Sequence, residues 1–189
     1  MANTTAGLVT TAKPKVGGAI WVAPVGTELP TDAQTPLNIA FKSLGYISDE
    51  GVENPQERTM VETIAWGGDV VNKTQKSFKD SFAYTLIEAM NVEVLKHVFG
   101  EKNVSGNLVS GITIKVNSEQ LSPVAMVVET VLKDGALKRL VIPHGVIEEV
   151  NSVKYNDNDA IGYGVKLGAI PGSDGDNHYE YIVQKGEAA

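Results

Sequence analysis

VAMVVETVLKDGALKRLVI, residues 124–142, sets two runs rich in β-branched side chains on either side of an Asp134-Gly135 pair. Asp and Gly both tolerate positive φ, which a tight turn matched to the right-handed twist of paired strands demands. The stretch therefore predicts an antiparallel hairpin, with strands over 124–132 and 137–142 joined by residues 133–136. The same chemistry runs through the whole chain, with 24 Val, 12 Ile and 13 Thr against 12 Leu, so sheet outweighs helix.

Toward the C-terminus, further strands are expected at 146–150, 160–170 and 179–184. Ile161, Tyr163, Val165 and Leu167 share one face of the middle strand, and Gly162, Gly164 and Lys166 the other. So bare a second face predicts close approach by another element. Toward the N-terminus, strands are expected at 108–116, at 77–87, where Phe82, Tyr84 and Leu86 alternate with small residues, at 44–48 and at 19–25. Pro24 has no N–H for a central ladder position, which places it at a strand end or an edge.

One helix is predicted, over 91–99. Asn91 is a good N-cap, Val92, Leu95, Val98 and Phe99 form an apolar stripe, and Gly100 stands where a left-handed residue ends the helix. Residues 49–76 show no sustained period of two or 3.6 and are expected to form a long loop or arm. Unstructured loops beyond about 15 residues are usually functional or disordered. This one carries Met60, Val61, Ile64, Trp66, Val70 and Val71, more apolar surface than disordered linkers usually hold, so the six are expected to form either a core satellite under the loop or a patch that another subunit covers, the candidate subunit interface. Residues 1–16, rich in Thr, Ala and Gly, are expected to be a flexible N-terminal arm. No repeat or shift in composition divides residues 17–189, so the expectation is one mainly β domain, an antiparallel β-sandwich or barrel with a flanking helix and long arms.

The chain has 189 residues, of which 42% are hydrophobic and 21% charged, a globular composition long enough to bury its own core. It contains no cysteine, which excludes a thiol nucleophile, a disulfide framework and Cys-ligated metal. No secretory signal and no membrane-length apolar run is present, so a protein made in a cytoplasm and free of membrane is expected. A net charge of −7 is the wrong sign for neutralising phosphates, so specific DNA binding is not expected. Residues 145–189 contribute −5 of that charge, including the adjacent Glu148 and Glu149.

No catalytic, cofactor or metal site emerges. His97, His144 and His178 lie in unlike contexts, and no Gly-x-Ser-x-Gly elbow is present. Residues 156–159 and 174–177 have the Asp/Asn content of calcium loops without the EF-hand register, and turns have the same composition. Gly162-Tyr163-Gly164 lacks the third glycine and following helix of a nucleotide fingerprint.

GAIWVAPVGTELPTD (residues 18–32), followed by SLGYISDEGV (residues 43–52) and a long arm, resembles the major tail tube proteins of long-tailed, noncontractile bacteriophages. The resemblance implies a β-sandwich whose copies form stacked six-membered rings, with neighbouring sheets joined around a channel through which the genome passes during ejection. It also implies arms at residues 1–16 and 49–76 that reach neighbouring copies. Its implied partners are a tail tip or initiation complex, a tape measure protein and a tail terminator, and its implied place is the virion tail. Glu148 and Glu149 are then candidate channel-lining residues, of which strand alternation would let only one point inward. The alternative is a surface or secreted β-sandwich that binds, for example, carbohydrate through exposed aromatics.

Overall fold

A chain dominated by β-branched residues buries apolar surface by packing sheet on sheet, and the computed structural model, which describes residues 4–184, has that architecture. The strands are β1 (Lys13–Pro14), β2 (Ile20–Pro24), β3 (Lys42–Ser43), β4 (Ile47–Glu53), β5 (Gln56–Ile64) and β6 (Val70–Leu86). After the helix α1 (Val92–Phe99) come β7 (Val104–Asn107), β8 (Gly111–Ile114), β9 (Val124–Val131), β10 (Leu137–Val150), β11 (Tyr163–Ala169) and β12 (Tyr179–Val183). The path β3-β2-β9-β10-β11-β6-β4 is continuously hydrogen-bonded, with β1 on β9, β12 on β10 and β5 on β6. All pairings are antiparallel.

The expected hairpin is formed by β9 and β10, and its turn has φ 58° at Asp134 and 77° at Gly135. The expected strands at 137–142 and 146–150 are instead one strand. β10 pairs with β12 through Leu137–Val141 and with β11 through Gly145–Val150, and its register against β9 slips between Ile142 and Gly145. Pro143 lies in that slip, and its missing N–H breaks the ladder there, so β10 bends out of one sheet into the other. The expected strand at 108–116 is also corrected. Gly106 and Gly111 adopt positive φ and Asn107 caps the turn through Val109 N and Ser110 N, giving the separate β7–β8 hairpin.

Phe82, Leu86, Met126, Val128, Ile142 and Leu167 meet between the sheets. Helix α1 adds Val94, Leu95 and Val98 to this core, capped by Asn91 and ended at Gly100, with Phe99 edge-on to Tyr163 at 5.6 Å between ring centroids. His97 Nε2 lies 2.8 Å from the buried Tyr84 hydroxyl, and burial holds the imidazole's pKa down at about 4.

A second cluster covers the other face of β2, β9 and β10, where Ala23, Val127 and Val141 pack beneath Leu29, Leu37 and Phe41. A charge fastens this cover. Arg139, 1% exposed, donates to Glu129 Oε1 at 2.5 Å and to the carbonyls of Asp32 and Thr35 at 2.7 and 2.8 Å. Lys15 Nζ reaches the same Glu129 oxygen at 2.9 Å. The Thr35 hydroxyl and amide and the Gln34 amide donate to the Asp32 carboxylate and hold its pKa down at about 2. The turn at residues 32–35 is thus a clip on Arg139.

The expected N-terminal arm is partly tied down. Lys13 and Pro14 pair with Val131 and Thr130, and Lys133 N donates to Thr10 Oγ1 at 2.8 Å. Residues 1–3 of that arm lie outside the described residues.

Removing Arg139 leaves the buried Glu129 carboxylate with Lys15 as its cation. Arg139→Ala is expected to cost about 3–5 kcal/mol in urea unfolding, and the double change with Glu129→Ala less than the sum of the single changes. His97 is neutral in the fold and titrates near 6.5 when unfolded, so its contribution to stability is complete above pH 6.5 and is lost as pH falls toward 4. Unfolding free energies across that window should show a loss on the order of 3 kcal/mol in the natural chain that is absent in His97→Gln.

Candidate functional site

Residues 49–76 are not an unstructured loop. They hold most of β4, all of β5 and the start of β6, and β5 with the first part of β6 makes a two-stranded ribbon exposed along its length. Two register shifts, between Thr59 and Met60 and between Thr63 and Ile64, interrupt alternation in β6 at Lys76 and Val71. A ribbon without a buried face has no reason to alternate apolar with polar, and two bulges break what alternation remains. That is why the sequence shows no period here.

The register still sorts the side chains. Partners across an antiparallel ladder share a face, so Arg58 with Phe78, Met60 with Gln75, Glu62 with Lys73 and Ile64 with Val70 lie on one side. Thr59, Val61, Thr63, Asn72 and Thr74 lie on the other. On the first side Arg58 stacks over Phe78 at 4.3 Å and Lys73 pairs with Glu62 at 2.7 Å. All six candidate interface residues are exposed: Met60, Ile64 and Val70 on the first face, Val61 on the second, Val71 at a bulge and Trp66 at the tip. Trp66 is 107% exposed, as open as an indole can be.

In β6 the first face continues Phe82, Tyr84 and Leu86, the inner face of the sandwich, through Asp80 to Phe78. The inward face of the sheet therefore runs out of the domain and along the arm, where no part of the described chain covers it. Asp80, 3% exposed, marks the root. Asn54 Nδ2 donates to Asp80 Oδ1 at 2.7 Å and to the Ser81 carbonyl at 2.8 Å, and His178 Nδ1 lies 2.5 Å from Asp80 Oδ2. His178 also packs edge-on against Phe82 at 5.2 Å. Sequence reasoning missed this anchor, whose members stand 26 and 98 residues apart. It also missed Arg58 and Phe78 on the arm; Phe78 had a signal in its even spacing from Phe82.

Glu148 and Glu149 are placed differently from the sequence expectation. Ile147 pairs with Leu167 and Glu149 with Lys166, so Glu148 is an extra, bulged residue. Glu149 shares the outward face with Lys166, and the Glu148 carboxyl lies over Gly168 on that same face. The two glutamates therefore point to one side, because the bulge cancels the alternation that would have separated them. The bare face of β11 is covered by side chains of the same strand system, Glu148 over Gly168 and Asn151 over Gly164, and not by another element.

The remaining polar residues have local partners. Asn156 Oδ1 accepts from the amides of Asn158 and Asp159, while Asp174 accepts from Asp176 N and the Tyr179 hydroxyl, which holds its pKa below the usual carboxylate range. Tyr179 is pushed up to about 12 by the same contact. These are Asx turns, and among the described residues no three His, Asp or Glu side chains converge as a metal site. Trp21 is half-buried in β2 with Nε1 donating to the Gly18 carbonyl, far in sequence and setting from Trp66, so the tryptophans form no shared aromatic platform. Among the described residues no helix is long and apolar enough to cross a membrane.

Fold and surface together define an antiparallel β-sandwich protein that carries part of its inner sheet face out on a projecting ribbon. Residues 2–189 match the family model described as phage tail tube protein, and the chain belongs to that family, which makes it a structural component of the phage tail. No curated protein sequence matches it.

None of the arm's side chains beyond Asp80 enters either core cluster. Excising residues 57–79 and joining the paired Gln56 and Asp80 by a two-glycine linker should leave cooperative unfolding intact, with a melting temperature within about 5 °C of the parent. Loss of cooperative unfolding would make the arm part of the folding core.

Proposed function

We propose that copies of this chain associate through the arm into six-membered rings, and that these rings stack into the tail tube through which DNA is ejected into the host. The single observation that supports this most is the inner sheet face running uncovered along the arm to Trp66. A two-stranded ribbon alone is marginal in water, and the apolar side chains it carries out of the domain, among them Met60, Ile64, Val70 and Trp66, are kept dry only by another molecule. A second copy is the partner that a tube requires, and sheets of neighbouring copies joined around a channel would cover edges that otherwise invite uncontrolled pairing. In this reading residues 17–189 form one tail-tube domain and Met60, Val61, Ile64, Trp66, Val70 and Val71 form the subunit interface. Assembly takes place in the host cytoplasm with a tail tip or initiation complex, a tape measure protein and a tail terminator. The role is structural, without catalysis.

Negative-stain images of the purified chain, alone and with an initiation complex, should show rings or hollow tubes, which the arm-excised variant should fail to form. Light scattering that reports monomers at every concentration in both settings refutes the proposal.

The outward face bearing Glu148 and Glu149, with Glu53 placed on the same side by its pairing with Ala83, is proposed as channel lining. Negative charge there would limit phosphate sticking to the wall. Because both glutamates share a face, Glu148→Lys and Glu149→Lys should each slow DNA ejection from intact tubes, and the slowing should weaken as salt shortens the screening length below roughly 8 Å. Unchanged ejection kinetics in both variants would remove this face from the channel.

A further inference from the structure

We propose that the groove beside β4 is the receptor for the arm tip of a second copy. The inference rests on the reading of the arm as an assembly element and adds where the arm lands. The groove, about 390 Å³, opens between β4 and the β9–β10–β12 sheet. Ile47, Val52 and Leu140 supply apolar floor, and Asp49, Glu50 and Glu180 supply an acidic rim. Lys138, beside them, is already engaged by Glu180 at 2.8 Å.

The chain's own arm cannot fill this groove. Asn54, which lines it, stands two residues before the Gln56–Asp80 pair that roots the ribbon. Nine residues of ladder then carry the tip about 30 Å away. The groove and tip therefore meet only between copies.

Charge and size select the match. Residues 56–79 carry four cations and three anions, while the rest of the chain carries −8. Of its lysines, Lys73 is paired with Glu62 and Lys79 stands across from Glu57 at the root, while Lys76 sits at a bulge with no acid across from it. Two copies at −7 each repel, and the arm, with four cations against three anions, is the part of the chain whose net charge is complementary to the rim carboxylates of Asp49 and Glu50. The Trp66 indole is a donor that needs an acceptor when buried, and the rim carboxylates are acceptors. A large aromatic seated in a pocket is the commonest kind of anchor at the centre of an interface. Each copy offers one tip and one groove at different places, so the contact is head-to-tail and every copy both gives and receives.

The absence of cysteine makes the test direct. Ala65→Cys, which keeps Trp66, is mixed with Glu50→Cys under assembly conditions and oxidised. Disulfide-linked dimers should exceed those from Ala65→Cys with Asp157→Cys, a loop position outside the groove, by about tenfold, because docking raises the effective concentration of the matched pair. Adding Trp66→Ala to the Ala65→Cys chain should abolish the excess. Should the cysteine variants fail to assemble, the tip is followed by fluorescence in Trp21→Phe, where Trp66 emission should shift to the blue on assembly and Glu50→Lys should remove the shift. Tubes that form with equal coupling to Asp157→Cys, or with no Trp66 shift, overturn the groove assignment and leave the tube reading standing. Coupling of Leu8→Cys to Glu50→Cys in place of the tip would assign the groove to the N-terminal segment. Failure of the unmodified chain to build tubes would instead overturn the reading on which the inference rests.

Discussion

The buried carboxylate of Asp80 is the point at which one strand changes its surroundings. β6 has 17 residues, exposed from Val70 through Ser77 and largely buried from Asp80 to Leu86. A carboxyl group that far from water is tolerated only with hydrogen-bond partners, and Asn54 and His178 supply them from the far side of the ladder and from the approach to β12. The same contacts hold β4, β6 and β12 together where the sandwich stops. A ribbon that would be marginal in isolation keeps its register because its root is an extension of the β4–β6–β11 sheet.

The elements legible in the sequence were those with a reason to alternate. The half of β6 around Phe82, Tyr84 and Leu86 has a buried face, and the Asp134-Gly135 turn needs positive φ, so both carry local signatures. The helix likewise declares its cap and its stop at Asn91 and Gly100. The arm had none of these, since water on both faces removes the pressure to alternate and the bulges at Val71 and Lys76 shift the phase twice. Its apolar content nevertheless singled out six residues that are all exposed. The glutamates were harder, because strict alternation predicts opposite faces and only the register reveals the extra residue. The anchor of Asp80 had no local signal at all, since it joins residues from three distant segments.

The clip on Arg139 engages the end of the segment that carries the tail-tube resemblance. Its Asp32 is fixed by Thr35 and Gln34, and the carbonyls thereby presented accept from a guanidinium that is also neutralised by Glu129. Residue types in such a turn are constrained by hydrogen-bond geometry as much as by hydrophobicity, since each must satisfy a donor that water cannot reach. Asp32 therefore reports on how the outer face of β2, β9 and β10 is covered.

The bend of β10 gives the two proposed contact surfaces a fixed relation. One half of the strand belongs with β9 and β12, which form a wall of the groove, and the other half belongs with β11, which pairs with the strand that becomes the arm. A single covalent strand thus connects giver and receiver of the proposed contact, and the core of Phe82, Met126, Ile142 and Leu167 fills the space between the two sheets. Close-packed interiors transmit displacement instead of absorbing it, so the angle between arm and groove is a property of the fold and not of a linker. In a head-to-tail contact that angle decides whether repetition closes into a ring or continues as a filament. The geometry of the proposed assembly would in this sense be set at Pro143 and Asp80, two residues that lie on neither proposed contact surface.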